Sequence, residues 1–388
     1  MGVNTNRDNW VYNYSKTALQ SNVHSTVSFY NEQVRRFNAI SANKPDVNDF
    51  VDTNLRKIAW SSSLIPKVAR NIIARYDAQK IYAAQYRPFC KMNLYMGEHF
   101  IHRRGNFDEL FPDIDTSNLV ICVSGVGVTK DFSCIMTDTF SDMELTGKSQ
   151  CFPLYWYEKI EAIKNKQLDM FAVAADTNED YYARRDGISD FILEQARKLY
   201  GNRTAKEDVF YYVYAFLHNP DYREQFASDL KKQLPRIPLI DDSVDFWKHV
   251  KSGREFADLH LHYEDHADES PVTVEFGTTN YEVTKMRFPS KDDKSRIIYN
   301  PFITISDIPA GAYEYVVNGK SAIEWVMERY QVTTNKDSGI VNDPNDWTRK
   351  CDQPRYILDL LRSVIAISVK TVEIVKNLPK VEFENNSV

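Results

Sequence analysis

Apolar residues recur at helical spacing through the first forty positions of the chain. Between Trp10 and Phe37 they return every three or four residues, which predicts a helical stretch over 10–40, and the loop SANKPDVND ends it. A second stretch, 64–84, has an apolar side and a side of lysine and arginine, which predicts another amphipathic helix. The chain therefore opens on a segment that is predicted to be helical.

From Tyr82 to about Pro153 the pattern changes to short apolar and β-branched runs that glycine and aspartate separate. NLVICVSGVGV (118–128) and FSCIMTD (132–138) are runs of this kind. Such runs are typical of strands, so this middle part is predicted to be rich in β-structure.

Helical spacing returns between Gly187 and Leu234. A helix over 244–259 is predicted next, because Asp242 or Ser243 can serve as its N-cap. The remaining predicted elements are strands in PVTVEFGTTNYEVTKMRF and RIIYNPFITI and closing helices over 319–330 and 354–376.

Together these elements predict a mixed α+β fold with a helical N-terminal part, a β-rich middle, and a helix-rich C-terminal part that carries a smaller sheet. We accordingly divide the chain into three segments. They are a helical segment over 1–81, a β-rich recognition subdomain over 82–180, and a helix-rich subdomain over 181–388 with strands near 272–306.

The composition narrows the classes of protein. A net charge of −6 over 388 residues means that the molecule as a whole is not a basic coat for nucleic acid, so any such binding must use a local face. Five cysteines without a CxxC pair indicate reduced thiols. No apolar segment has the length of a membrane span, and the N-terminus has no signal-peptide core. We expect a cytoplasmic protein that does not enter a membrane.

Asn219-Pro220-Asp221-Tyr222 resembles the catalytic loop of adenine-N6 DNA methyltransferases, in which Asn or Asp precedes two prolines and an aromatic residue. In that loop polar groups hold the target amine and the ring stacks on the flipped base. The second proline is absent here. Asn219 is instead a suitable N-cap, Pro220 suits the first helical position, and an apolar stripe runs every four residues from Tyr222 to Leu234. We therefore predict a helix–turn–helix hairpin.

A Gly-x-Gly turn at Gly125 and Gly127 follows an apolar run, as in a nucleotide-type cofactor loop. Together with Asn219 and Tyr222 it supports an alternative, a free-standing adenine-N6 methyltransferase that binds S-adenosylmethionine. Such a turn should open a helix whose N-terminus meets the cofactor. The sequence TKDFSCIMTDTF follows instead, and its composition predicts a strand.

The segment LHLHYEDH (259–266) contains three histidines and two acidic residues. His260 and His262 could face one metal ion from a strand, because alternate residues of a strand share a side. A third ligand with suitable spacing is not evident elsewhere in the sequence. We favour a helix end that runs into an acidic turn, and we predict no metal site.

Two segments of the chain are locally basic. Residues 64–104 carry eight Lys or Arg and two acidic residues, with aromatic residues between them. Residues 285–296 carry five Lys or Arg and two acidic residues. Basic surface mixed with aromatic residues suits contacts with phosphates and some contacts with bases. From composition alone, ordinary solvated charge explains the two segments equally well.

Five blocks resemble the C-terminal specificity domain of Type ISP restriction-modification enzymes. YRPFCKMNLYMGEHFIHRR (86–104) is similar to that family's Arg-Pro-Phe…Tyr signature, and CFPLYWYE (151–158) to its Phe-Pro-Leu-Tyr segment. DVFYYVYAFLHNPDYREQFASDLKKQLPRIPL (208–239) resembles its Tyr-x-Tyr-Ala-x-Leu-His-x-Pro-x-Tyr-Arg run. FWKHVKSGREFADLHL (246–261) and VNGKSAIEWVMERY (317–330) continue the resemblance.

The resemblance spans residues 7–376, and it implies a part of a larger enzyme. Full-length members join a nuclease, a helicase-like ATPase motor, a coupler, an adenine-N6 methyltransferase and this domain in one polypeptide. The chain would recognise a specific sequence in double-stranded DNA, position an adenine for the methyltransferase, and license the motor and nuclease, without being an enzyme by itself. The implied partners are duplex DNA, the methyltransferase domain and the helicase-nuclease domains. Residues 1–81 would pack on the methyltransferase domain. S-adenosylmethionine, ATP and Mg are expected only in those other domains.

Charge and loop position then predict the residues that contact DNA. The predicted phosphate contacts are Lys67, Arg70, Arg103, Arg104 and Lys130. The predicted contacts to base edges are Lys91, Asn93, Ser124, Arg287, Lys291 and Arg296. No catalytic residue is predicted.

Two positions depart from the family's pattern. Cys90 stands where the family usually has Asp after Arg-Pro-Phe, so any role of a charge there is lost, and Asn318-Gly319-Lys320 replaces a frequent Gly-Gly-Tyr turn. A third class of protein also stays open, an adaptor that binds only other proteins. Such an adaptor would not show the salt dependence that phosphate contacts impose.

Overall fold

The computed structural model describes residues 1–113, 115–160, 181–277 and 279–383. In this part of the chain, helices and several small sheets form the mixed α+β fold that the sequence predicts. The α-helices are, in chain order, α1 (Asp8–Val11), α2 (Lys16–Asn38), α3 (Val47–Phe50), α4 (Ile65–Ala69), α5 (Phe107–Leu110), α6 (Asp190–Tyr200), α7 (Lys206–Phe216), α8 (Pro220–Gln225), α9 (Ser243–Leu261), α10 (Ala322–Arg329), α11 (Asn345–Cys351) and α12 (Tyr356–Lys376).

The long helix α2 dominates the N-terminal part and confirms most of the helix predicted over 10–40. Ser15 caps it, because its Oγ accepts a hydrogen bond from the N–H of Ala18 at 3.1 Å. A four-stranded sheet combines one strand from before this helix with three from after it. Its order is β1 (Tyr12–Asn13), β3 (Cys90–Tyr95), β2 (Ile81–Arg87) and β6 (Phe140–Ser141), and only the β2–β6 pair is parallel.

The prediction of a helix over 64–84 is wrong beyond α4. Asn71 has a φ of 58°, so the helical path ends there. Asn31 on α2 then holds Ala74 in place, accepting from its N–H at 2.9 Å and donating to its carbonyl at 2.8 Å. Ile81 begins β2, which pairs with β3. Contacts with distant parts of the chain therefore override the helical periodicity.

The predicted β-structure of the middle part is confirmed where the structure describes it; residues 161–180 lie outside the described residues. β4 (Val120–Val123) lies between β5 (Cys134–Thr137) and β7 (Gln150–Pro153), antiparallel to both. All residues of β4 and β5 are buried, which explains their unbroken apolar runs. A separate antiparallel ribbon consists of β8 (Tyr155–Ile160) and β9 (Tyr181–Asp186).

The helices α6 to α9 form a second layer in which α7 and α9 come very close together. Gly253 on α9 makes this possible, because a Cβ there would lie 2.0 Å from the carbonyl oxygen of Tyr211 on α7. Asp242 caps α9, because its Oδ1 accepts hydrogen bonds from the N–H groups of Val244 at 2.7 Å and Asp245 at 3.0 Å. The helix predicted over 244–259 is therefore confirmed.

The C-terminal part contains the predicted smaller sheet and both closing helices. The sheet has the order β10 (Thr273–Phe276), β12 (Ile303–Ser306) and β11 (Ile297–Asn300). The helices predicted over 319–330 and 354–376 are confirmed as α10 and α12. Two short pairs complete the strands, β13 (Val316–Val317) with β14 (Lys320–Ser321) and β15 (Thr333–Thr334) with β16 (Val341–Asn342).

One hydrophobic core crosses the three predicted segments. Tyr30 of α2, Leu94 of β3, Ile305 of β12 and Leu361 of α12 belong to the same buried cluster, while α7 and α9 build a second one. The segment boundaries at 81 and 180 stay predictions. Among the described helices, none is long and apolar enough to cross a membrane.

Candidate nucleic-acid interface

Two surface segments of the 64–104 region lie side by side. Lys67 on α4 reaches the loop after β3, where its Nζ lies 3.0 Å from Nδ1 of His99. Ser63, just before α4, lies 2.9 Å from Nδ1 of His102 in the same loop. We call the resulting surface the basic face; it consists of Lys67, Arg70, His99, His102 and Arg103.

The predicted phosphate contacts of this region differ in how available their charges are. Arg70 and Arg103 are exposed and form no ion pair with any described residue. Lys67 is half-buried, and burial is the main cause that lowers its pKa. Arg104 is paired with Asp108 at 2.9 Å and also donates to the carbonyl of Met96. Arg70 and Arg103 are therefore the strongest candidates for contacts with an external anion.

Lys130 belongs to a different surface. Its Nζ donates to the carbonyl of Asn318 at 3.0 Å. It lines a cleft of about 790 Å³ between the β4–β5 turn, α8 and the end of α12. The structure therefore does not join Lys130 to the basic face.

Three of the predicted base contacts take part in the internal structure of the domain. Lys91 forms an ion pair with Glu264 at 2.9 Å. Asn93 is buried, and its Nδ2 donates to two backbone carbonyls near β1 at 3.1 and 2.8 Å. Ser124 is buried in a similar network, donating to the carbonyl of Thr146 at 2.9 Å. A contact with a base would require each of them to give up these bonds.

The other three predicted base contacts lie on the basic loop, which we define as residues 285–296. Arg287 and Lys291 are exposed, and among the described residues neither forms an ion pair. Arg296 is held by Asp293, which accepts from its Nε at 3.3 Å and its Nη2 at 2.9 Å. Arg287 and Lys291 can reach a ligand directly, whereas Arg296 must first leave Asp293.

The Asn-Pro-Asp-Tyr segment begins helix α8, as its capping pattern predicts. Oδ1 of Asn219 accepts from the N–H groups of Asp221 and Tyr222 at 3.0 and 3.3 Å, and Pro220 is the first helical residue. The tyrosine ring is buried, and its hydroxyl donates to a carbonyl at 3.2 Å. The predicted stripe reaches Leu230, but Leu234 is exposed. This segment therefore has the geometry of a helix cap.

The Gly-x-Gly turn connects two strands of one hairpin. The N–H of Gly125 donates to the carbonyl of Gly147, and the N–H of Gly127 to that of Lys231, both at 2.9 Å. The two donors that would hold a cofactor are thus used within the chain, and β5 follows the turn. The residues present do not fit a loop for S-adenosylmethionine.

The histidine-rich segment is the end of a helix, as favoured above. His260 lies in the last turn of α9 and is buried, whereas His262 is exposed and lies 2.9 Å from Asp258. Residues two apart on a helix do not face each other, so the alternative of a metal-binding strand pair is wrong. Within the described ranges, no group of three or more His, Cys, Asp or Glu could hold a metal ion.

Sequence reasoning missed Arg7, which is almost fully buried beneath the basic face. Its Nη2 donates to Oγ of Ser61 at 2.6 Å, and Nη1 has no hydrogen-bond partner. The two residues are 54 positions apart, so no local pattern could have linked them.

The fold and its surfaces define the class of protein. It is a mixed α+β domain with two basic surfaces, in which the segments that resemble catalytic loops serve as a helix cap and a hairpin turn. The chain belongs to the family of Type ISP C-terminal specificity domains, whose model matches residues 1–360. No curated protein matches the chain.

Three solved structures are similar to nearly the whole chain, covering 99% of it in each case. One is a nuclease-deletion mutant of the Type ISP restriction-modification enzyme LlaGI in complex with a DNA substrate mimic, at 38% identity and a TM-score of 0.82. Another is the ATP-dependent Type ISP restriction-modification enzyme LlaBIII bound to DNA, at 35% identity and a TM-score of 0.83. The third is a DrdV–DNA complex, at 27% identity and a TM-score of 0.79. The chain spans only 33%, 23% and 36% of those three chains.

Proposed function

We propose that this chain recognises a specific sequence in duplex DNA as the specificity module of a Type ISP restriction-modification enzyme. The observation that carries the proposal is the likeness of 99% of the chain to LlaGI and LlaBIII, both described in complex with DNA or a DNA mimic. Family membership supports the same function. Because the chain spans a third or less of those two enzymes, their other activities would belong to the remaining parts.

Two kinds of contact follow from the surfaces. Arg70 and Arg103 on the basic face would hold phosphates, with Lys67 beside them, and so fix the register of the domain on the duplex. Arg287 and Lys291 on the basic loop would reach base edges, where an arginine can donate two hydrogen bonds to one guanine. Arg104, Arg296 and Lys130 would join only after leaving their present partners.

In the complete enzyme this recognition would serve catalysis elsewhere. The domain would place one adenine for flipping into a neighbouring methyltransferase domain, on which residues 1–81 would pack. Recognition of an unmethylated site would license the motor and nuclease. S-adenosylmethionine, ATP and Mg would be bound by those other domains and not by this chain.

Titration of the chain with a random-sequence duplex at several salt concentrations tests the phosphate contacts. The slope of log K against log salt should be negative, and Arg70→Gln and Arg103→Gln should each reduce its size by about 0.9. Lys251→Gln is the matched control, since Lys251 is a highly exposed cation on α9. A flat response to salt would overturn the proposal and favour an adaptor that binds only protein.

Two further measurements address specificity and the enzymatic alternative. Selection from a pool of random duplexes should enrich one motif, and a pool that stays random would contradict sequence recognition. Calorimetry with S-adenosylmethionine should show no binding. Micromolar affinity of this chain alone would instead support a free-standing methyltransferase.

A further inference from the structure

Arg7 is a buried cation without an acidic partner. The side chain lies under the basic face, its Nε donates to the carbonyl of Ala59 at 3.0 Å, and it forms no ion pair in the described part of the chain. Burial lowers its pKa to about 10, so it remains charged at neutral pH. A buried charge of this kind orients the polar groups around it.

A chain of hydrogen bonds leads from Arg7 to the surface. Nη2 of Arg7 contacts Oγ of Ser61 at 2.6 Å, that oxygen contacts Oγ of Ser63 at 3.1 Å, and the second oxygen contacts Nδ1 of His102 at 2.9 Å. A guanidinium can only donate, so Ser61 accepts from it. In the described residues, the hydroxyl hydrogen of Ser61 has only Ser63 to receive it, which leaves the hydrogen of Ser63 free to point to Nδ1 of His102.

When Ser63 donates to its Nδ1, the ring of His102 has one chemical form. An Nδ1 that accepts a hydrogen bond carries no hydrogen, so the neutral ring carries it on Nε2. Burial, followed by the charges of Arg103 and Arg7, lowers the pKa of His102 and favours the neutral ring. Nε2 has no partner among the described residues and is not enclosed, so its N–H is available to an external acceptor.

His99 is held in the same form by a different neighbour. Its Nδ1 lies 3.0 Å from Nζ of Lys67, and an ammonium group can only donate. Burial and then the charge of Lys67 lower the pKa of His99. His99 therefore also carries its hydrogen on Nε2, and this atom too has no partner within the described part of the chain.

We propose that the Nε2–H groups of His99 and His102 bind phosphate oxygens of duplex DNA as neutral hydrogen-bond donors beside the cations of the basic face. Phosphate oxygens only accept, and this surface offers them two N–H groups together with Arg103 and Lys67. The inference rests on the proposed function. It adds to that function a class of contact that gives affinity without releasing a counterion.

The salt dependence of binding separates a neutral donor from a cation. His102→Ala and His99→Ala should each weaken binding to a duplex about fivefold at fixed salt, the value of one hydrogen bond, without changing the slope of log K against log salt. His102→Gln should retain most of the affinity, because its amide N–H₂ stands three bonds from Cβ as Nε2 does. Lys67→Met should reduce the slope by about 0.9.

Two more variants complete the design. Ser63→Ala leaves the surface unchanged but frees the ring of His102, so binding should weaken by a smaller factor than in His102→Ala. His24→Ala is the matched control, an exposed histidine on α2 outside the basic face. Thermal melting of each variant checks that the fold is retained. NMR of the chain with ¹⁵N-labelled histidine should show the Nε2–H form for both rings without DNA.

The outcomes distinguish this inference from the proposed function. If the chain binds DNA and Lys67→Met alters the slope while neither histidine variant alters affinity, the inference fails and DNA recognition stands. A loss of slope in His102→Ala, or an Nδ1–H form by NMR, would also overturn it. If the wild-type chain binds no duplex even at low salt, the proposed function and this inference fail together.

Discussion

Replacing Asn219 by alanine tests whether this residue holds helix α8 in place or serves a reaction. The side chain is 1% exposed, and Oδ1 caps the N–H groups of Asp221 and Tyr222 while Nδ2 donates to the carbonyl of Pro379 at 2.9 Å. Loss of an N-cap costs about 1 kcal/mol. The carbonyl of Pro379 is only partly buried, so the lost hydrogen bond costs about 0.5–1.5 kcal/mol more. We therefore expect Asn219→Ala to lower the free energy of unfolding by about 1.5–2.5 kcal/mol.

Urea unfolding followed by circular dichroism measures this loss through the shift of the midpoint. Asn219→Ser is the matched variant, because a serine hydroxyl also caps a helix but cannot reach Pro379 as the amide does. The wild type should be the most stable and the alanine variant the least, with the serine variant between them. That order separates the contribution of the cap from that of the contact with Pro379.

An alanine variant within about 0.5 kcal/mol of the wild type would refute the structural account, because even a weak cap contributes that much. The same experiment addresses the enzymatic alternative. If Asn219→Ala left stability intact but abolished a measurable methyl transfer by this chain, the residue would be catalytic and α8 would be secondary.

Three shorter predictions concern packing, acid stability and the basic face. Gly253→Ala should destabilise the chain by about 1–3 kcal/mol or more in thermal melting, since its Cβ would lie 2.0 Å from a carbonyl oxygen of α7. Burial, and then the charge of Arg223, lowers the pKa of His260 to about 3, so between about pH 3 and pH 6.5 the unfolded chain binds a proton that the folded chain does not. The stability that is present above about pH 6.5 should therefore fall as the pH drops toward 3. Melting temperatures measured against pH should show this fall, and a smaller one in His260→Gln. Glu98→Gln should strengthen DNA binding about twofold at low salt and little at high salt in a fluorescence titration, because the field of Glu98 reaches Lys67 and His99.

Local signals predicted the elements that local contacts hold. Asp242 and Asn219 cap helices because their side chains reach N–H groups two or three residues ahead. Such contacts can be predicted from residues that are adjacent in the sequence. The extended backbone near Ala74 is different, since Asn31 on another helix holds it. No periodicity within 64–84 carries that information.

The candidate site shows the same limit. Charge counts located both basic segments, and the pairing of Arg104 with Asp108 or of Arg296 with Asp293 follows a helical or turn spacing that the sequence displays. The pairing of Lys91 with Glu264 joins residues 173 positions apart. Which cation remains unpaired is therefore a property of the fold and not of the local sequence.

The unpaired cations among the predicted DNA contacts set the expected salt dependence of DNA binding. Each charge that neutralises a phosphate contributes about 0.9 to the slope of log K against log salt, so five such charges give a slope of about 4.5. A slope well above this value would mean that further cations contact phosphates, either exposed ones such as Lys285 or paired ones such as Arg104 and Arg296 that leave their acids on binding. A smaller slope with strong binding would instead point to neutral donors such as the two histidines of the basic face. The five cations that enter this expected slope are Lys67, Arg70, Arg103, Arg287 and Lys291.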